Sequence, residues 1–155
     1  MFEFILSTVY CVIDTFTKFK VRVVDKDGIT PQKADDGCAG YDVYSTIATV
    51  IPPGDRKLIP IGVSTEISKN YYLRVAPRSG LSVKGIDVGA GVIDSSYRGE
   101  IKVLIINNSQ SDFYVDKGAK IAQIILERCS NAKIMLVDEL SESERGYGGF
   151  GSTGN

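Results

Sequence analysis

From Phe19 onward the chain runs in short apolar or alternating stretches separated by turn residues. Residues 20–24 alternate polar and apolar side chains, and Asp27-Gly28 and then Pro31 close the run. The same pattern predicts strands over Tyr41–Tyr44, Thr49–Ile51, 57–59, 63–67, Tyr71–Ala76, 101–107, Phe113–Val115, 121–127 and 133–137. Pro52-Pro53-Gly54-Asp55, Gly62, Asn107-Asn108-Ser109 and Asp116-Lys117-Gly118 punctuate them, each offering a fixed φ, a left-handed φ or a side chain that bonds its own backbone. No window holds a 3.6-residue apolar period over helical length. One short helical turn is predicted over residues 79–84, with the Ser79 hydroxyl as its N-cap. Many short strands at this spacing predict an all-β domain, an antiparallel barrel or sandwich, and not a series of βαβ units.

At 155 residues the chain has the length of one domain, and its 43% apolar content is enough to fill a core. Eighteen basic residues against nineteen acidic ones leave a net charge of -1, with no long run of either sign. A broad electrostatic grip on nucleic acid or on an anionic membrane is therefore not expected. The histidine count, zero, excludes more. A Ser-His-Asp triad, a Cys-His pair, an HExxH zinc site and a histidine base are all ruled out within the chain. Proton transfer near neutral pH is left to carboxylates or to a shifted Cys, Lys or Tyr. Cys11, Cys38 and Cys129 are odd in number, widely spaced and without a CxxC, which points to free thiols in a reducing compartment. Residues 1–17 are apolar but carry Glu3 and Asp14. They are too short for a membrane span and lack a signal peptide's charged start, so they read as an N-terminal extension of unknown role.

Five islands combine glycine with polar donors or aspartate. Asp42 sits in Ala39-Gly40-Tyr41-Asp42. Arg78, Ser79 and Gly80 open the predicted helical turn, where free N–H groups favour anions. Gly89 and Gly91 precede Asp94 and Tyr97 in what otherwise reads as a hairpin with an Asp turn residue, and would let bare backbone approach a flat ligand. Gln123 lies within an alternating strand. The last eleven residues, from Arg145, hold five glycines with an arginine, two aromatics and a Ser-Thr pair, a set of anion-binding donors without a Walker pattern. Taken singly, each island is equally a turn, a cap, an exposed strand position or a flexible tail.

Their order and conjunction resemble the trimeric, all-β dUTP pyrophosphatase (dUTPase) family. PRSGL, GVIDSSYRGEIKV, KIAQIILE and RGYGGFGSTG are long, nearly unbroken motif stretches, and all five family motifs occur in order between residues 20 and 154. The resemblance implies a jelly-roll-like antiparallel β-barrel with one short helix over residues 18–140. It also implies a glycine-rich C-terminal lid over 141–155, and a homotrimer whose subunits share each active site.

It further implies hydrolysis of dUTP to dUMP and pyrophosphate with Mg²⁺, which limits uracil in DNA and supplies dUMP for dTTP synthesis. Asp94 would orient and deprotonate the attacking water. Tyr97 would lie under the deoxyribose, and the main chain of Gly89, Gly91, Val92 and Ile93 would read uracil. Arg78, Ser79, Gly80 and Gln123 would hold the α,β-phosphates, with Lys102 a weaker candidate. Asp42 would meet the metal through water, in keeping with the waters Mg²⁺ retains. Arg145, Gly151, Ser152 and Thr153 would close on the γ-phosphate, with Phe150 stacked on uracil. Location would be cytoplasmic, with the nucleus as a second compartment.

Two positions depart from the family pattern. Ser96 stands where Asp is frequent, and Cys38 stands where small residues are usual. The alternatives are a dCTP deaminase-like enzyme or a catalytically silent regulatory relative. A deaminase places a glutamate in the strand after the tyrosine, and residues 101–106 carry none. The retained Asp94, Arg78, Gln123 and tail speak against the silent relative.

Overall fold

The computed structural model describes residues 19–148; the extension and the lid residues Phe150, Gly151, Ser152 and Thr153 lie outside them. Eleven strands and one helical turn follow in order: β1 (Lys20–Val23), β2 (Tyr41–Tyr44), β3 (Thr49–Ile51), β4 (Arg56–Pro60), β5 (Val63–Glu66), β6 (Tyr71–Ala76), α1 (Ser79–Ser82), β7 (Ile86–Gly89), β8 (Val92–Ile93), β9 (Lys102–Asn107), β10 (Phe113–Val115) and β11 (Lys120–Arg128). All pairings among them are antiparallel. The strands form four sheets, β1-β5, β10-β3, β2-β11-β6-β8 and β4-β9-β7. Together they make the all-β antiparallel architecture predicted from the strand spacing, in the jelly-roll-like form that the resemblance implies.

Alternation decides what the sheets bury. Along β9, Val103, Ile105 and Asn107 point inward and are fully buried, while Lys102, Leu104 and Ile106 face outward. Ile51, Ile59, Leu73, Ile101, Ile121 and Ile124 join them in one core, each worth about 2 kcal/mol of transfer free energy. Asn107 is the polar residue on the buried face of β9 and is fully partnered. Its Nδ2 donates to the carbonyls of Ile51 and Ser111 at 2.8 Å, and its Oδ1 accepts from Ser109. That side chain ties the β9–β10 connection to β3. Pro60 ends β4 at a sheet edge, where its missing N–H breaks no ladder.

Three expectations are corrected. Residues 133–137 alternate like a strand but pair with no strand among the described residues, and Ile134, Met135 and Leu136 stand at least 80% exposed. Ser79 is not the N-cap. Arg78 holds that position in extended conformation (φ -91°, ψ 134°), with no side-chain cap bond, and α1 ends at Ser82. Gly89 and Gly91 do not belong to a hairpin, because β7 pairs with β9 and β8 pairs with β6 in a different sheet. The chain crosses between sheets through Ala90 at φ 49°. Each glycine serves that crossing. A Cβ on Gly89 would meet Leu104 at 2.9 Å, and one on Gly91 would meet the Val75 carbonyl at 2.7 Å.

Across β6 and β11, Glu127 accepts from the Tyr72 hydroxyl and from Arg74 Nε. The Tyr72 bond first, then Arg74, holds the Glu127 carboxyl below the usual glutamate value of 4.5. A carboxyl depressed by folding stabilises above its unfolded pKa, and that contribution is lost as pH falls through the folded value. Glu127→Gln is therefore expected to flatten the decline of Tm as pH falls below about 4.5. Melting curves that stay parallel to wild type on the acid side would remove this role.

Candidate active site

One sheet row assembles the polar cleft. In register, Gln123 of β11 lies opposite Asp42 of β2 on one side and Ala76 of β6 on the other. Ala76 leads directly into Pro77, Arg78 and α1, so three elements bring Asp42, Gln123 and the Arg78 turn together. Gln123 Nε2 donates to the Pro77 carbonyl at 2.9 Å, which fixes that turn to the sheet. Gly40 is required here, since a Cβ on it would run into the Gln123 carboxamide. The cleft is about 330 Å³ and is lined by Cys38, Gly40, Asp42, Arg78, Ser79, Gly80 and Gln123 among others. Cys38 donates its thiol to Asp35 (3.2 Å), and that bond leads the causes that lower the Asp35 carboxyl.

Charge in the cleft centres on Asp42, whose side chain is 16% exposed. Arg78 Nε approaches its Oδ1 at 3.0 Å, and Lys120 Nζ approaches its Oδ2 at 2.8 Å. Two cations against one carboxylate leave the cleft with surplus positive charge. A Cβ on Gly80 would meet nothing within 4 Å, so the chain's own packing does not demand a glycine there. The first N–H groups of α1 have no acceptor within the helix. Anion reception is what this arrangement can do.

The other predicted residues lie elsewhere on the chain. Asp94 is exposed, accepts no side-chain hydrogen bond among the described residues, and begins a turn that Tyr97 N–H closes onto the Asp94 carbonyl (3.1 Å). Tyr97 is 44% exposed and donates its hydroxyl to the Glu100 carbonyl at 2.9 Å. Pairing of Leu73 with Ile93 and of Arg74 with Val92 carries Asp94 to the level of Tyr72. Arg78 lies six residues further along from Tyr72, on the order of 20 Å of extended chain. Neither Asp94 nor Tyr97 lines the cleft. Lys102 is exposed at the end of β9, and Arg145 bonds the Gly148 carbonyl (2.8 Å) in its own turn. Lys120, the second cation on Asp42, carries no mark in the alternation of the sequence.

A larger concavity, about 500 Å³, lies at Asn70, Arg128, Cys129, Ser130 and Asn131. Its amide is already spent locally, Asn131 Nδ2 donating to the Lys69 carbonyl and to Asn70 Oδ1. Among the described residues no three His, Cys, Asp or Glu side chains gather to hold a metal.

An antiparallel β-barrel with a positively charged cleft around one carboxylate defines a protein that receives a small anionic ligand. Comparison with known proteins narrows this. The dUTPase family model matches residues 26–154. The deoxyuridine 5'-triphosphate nucleotidohydrolase of Candida glabrata is 44% identical over 137 residues, spanning 87% of this chain and 95% of that one. The cowpox virus protein of the same name is 49% identical over 125 residues, or 81% and 85% of the two chains. Among solved structures, the Staphylococcus bacteriophage 80alpha dUTPase with dUPNHPP superimposes with a TM-score of 0.84 at 26% identity, covering 89% of this chain and 99% of that one. The chain belongs to the dUTPase family.

Proposed function

We infer that the protein is a dUTP diphosphatase, hydrolysing dUTP to dUMP and pyrophosphate, and thereby keeping uracil out of DNA while supplying dUMP for dTTP synthesis. The observation that carries this reading is the Asp42–Arg78–Gln123 row, which gathers an anion cleft in a chain whose relatives are named for this substrate. Arg78, with the backbone of Ser79 and Gly80, binds the α,β-phosphates. Asp94 holds a water and takes its proton as the water oxygen attacks the α-phosphorus. The bond from that phosphorus to the bridging α,β-oxygen breaks, and pyrophosphate leaves. Tyr97 packs beneath the deoxyribose and excludes a 2′-hydroxyl. Positioning and charge neutralisation do most of the work.

The donor set suits Mg²⁺ in one form. Asp42 is flanked by two cations, which disfavours direct ligation, and among the described residues it joins no group of three metal-ligating side chains. An ion carried on the triphosphate, with Asp42 accepting from its waters, fits these residues. Bound so, Mg²⁺ supplies further neutralisation of phosphate charge.

The active site is completed between subunits of a homotrimer. In support, neither Asp94 nor Tyr97 lines the cleft, and apolar side chains such as Leu58, Tyr114, Met135 and Leu136 stand exposed for burial by other copies. Arg145 and the residues after it close over the γ-phosphate as a lid. A panel of dUTP, dCTP, dTTP and UTP with Mg²⁺ tests the reading, together with a light-scattering mass. Pyrophosphate from dUTP alone and a trimer mass are expected. Ammonia from dCTP, or dUTP binding without turnover, would replace it with the deaminase or the silent relative.

Gly40→Ala is a local check on the cleft. Its methyl displaces the Gln123 carboxamide from Pro77, and KM for dUTP is expected to rise about tenfold, the scale of one or two lost hydrogen bonds. An unchanged KM would detach Gln123 from substrate binding.

A further inference from the structure

Lys120 has no role in the reading above, yet the backbone is irregular where it is placed. Gln123 faces the cleft, and Lys120 lies three residues before it, so an unbroken strand would turn Lys120 to the opposite face. β11 is not unbroken. Lys120 pairs with Tyr44 and Ala122 pairs with Val43, leaving Ile121 as an extra residue between them. This bulge keeps Ile121 in the core, 1% exposed, and returns Lys120 to the face of Tyr44. Asp42 is two residues from Tyr44 on β2 and shares that face. Bulges commonly re-aim a side chain beside a site, and this one sets an ammonium 2.8 Å from Asp42 Oδ2.

Arg78 completes a ring. Its Nε takes Asp42 Oδ1 at 3.0 Å, and its Nη1 donates to the Lys120 carbonyl at 3.3 Å. An arginine beside a free carboxylate closes side-on, Nε and Nη2 each taking one oxygen. Here the oxygen that Nη2 would use is occupied by Lys120, and Nη2 has no partner among the described residues.

We propose that Lys120 is a positioning residue for the phosphate-binding arginine: by holding Asp42 Oδ2 it keeps Arg78 on Oδ1 alone and leaves Nη2 free for a substrate phosphate oxygen. Lys120 acts through Asp42 and does not itself touch the nucleotide. The Asp42 hydrogen bond, then its charge, raises the Lys120 pKa, so the ammonium stays protonated at neutral pH. The inference rests on Arg78 being a phosphate ligand.

Lys120→Met removes the charge and keeps the stem, Lys120→Gln is a second neutral variant should the first not fold, and Lys120→Arg restores a cation. KM for dUTP and Kd for dUpNHpp are expected to rise about tenfold in the neutral variants and to recover to within about threefold in Lys120→Arg, with kcat little changed. In an Arg78→Met background the Lys120 substitution should add less than about twofold, since its effect runs through that arginine. Unchanged KM and Kd, no recovery in Lys120→Arg, or a full additional tenfold loss without Arg78 would each overturn the proposal. A wild type that releases no pyrophosphate from dUTP would instead overturn the functional reading, and the dUpNHpp affinities would still decide the role of Lys120.

Discussion

Asp94→Asn is expected to slow dUTP turnover by about a thousandfold while leaving Kd for dUpNHpp within about twofold. Asparagine keeps the size of the side chain and loses its capacity to take a proton. The fold should not notice, because Asp94 is exposed and its carboxylate accepts no bond among the described residues. With no histidine in the chain, no imidazole can substitute for the Asp94 carboxylate as base. Single-turnover kinetics beside analogue binding separate the two quantities. Equal losses in rate and affinity would make Asp94 a binding residue, and an unimpaired rate would move the base elsewhere.

Arg78→Met is expected to lower kcat/KM by about a hundredfold or more, the scale seen when one donor to a developing oxyanion is removed. The reason is local. Arg78 is the cation whose fork is only partly spent, Nε on Asp42 and Nη1 on a carbonyl. Removing it leaves Asp42 paired with Lys120 and strips the cleft of its surplus charge. Its side chain is about a third exposed, so the melting temperature should hold to within a few degrees and dissociate this loss from unfolding. A comparable fall in Tm would make Arg78 a structural tie between α1 and β2.

Much of this fold can be read from strand-length alternation, because one face of each strand is buried and the other wet. β2, β3, β6 and β10 fall at the predicted bounds. What alternation cannot convey is which edges meet. Residues 133–137 show a strand's pattern and no partner among the described residues, since pairing depends on a second edge. The Gly89-Ala90-Gly91 stretch looks like a turn, yet it crosses between sheets and needs its glycines for the contacts with Leu104 and Val75.

The cleft was legible in part. Asp42, Arg78, Ser79, Gly80 and Gln123 do converge, because register sets two of them in one row and the third two residues beyond its end. Lys120 was hidden, since a bulge reverses the face that counting residues assigns to it. Ser79 looked like a cap, but the side chain at the N-cap position, Arg78, turns to Asp42 instead. The distance from Arg78 to Asp94 is a property of the folded sheet that motif order along the chain conceals.

The central claim, a dUTP-hydrolysing site that takes Arg78 from one subunit and Asp94 from another, is tested most directly by co-expressing the two inactive variants. In randomly mixed trimers of Asp94→Asn and Arg78→Met subunits, some sites receive the intact arginine from one copy and the intact aspartate from its neighbour. Pyrophosphate release from dUTP should then recover to about a quarter of wild type. Release no greater than that of either variant alone would contradict it.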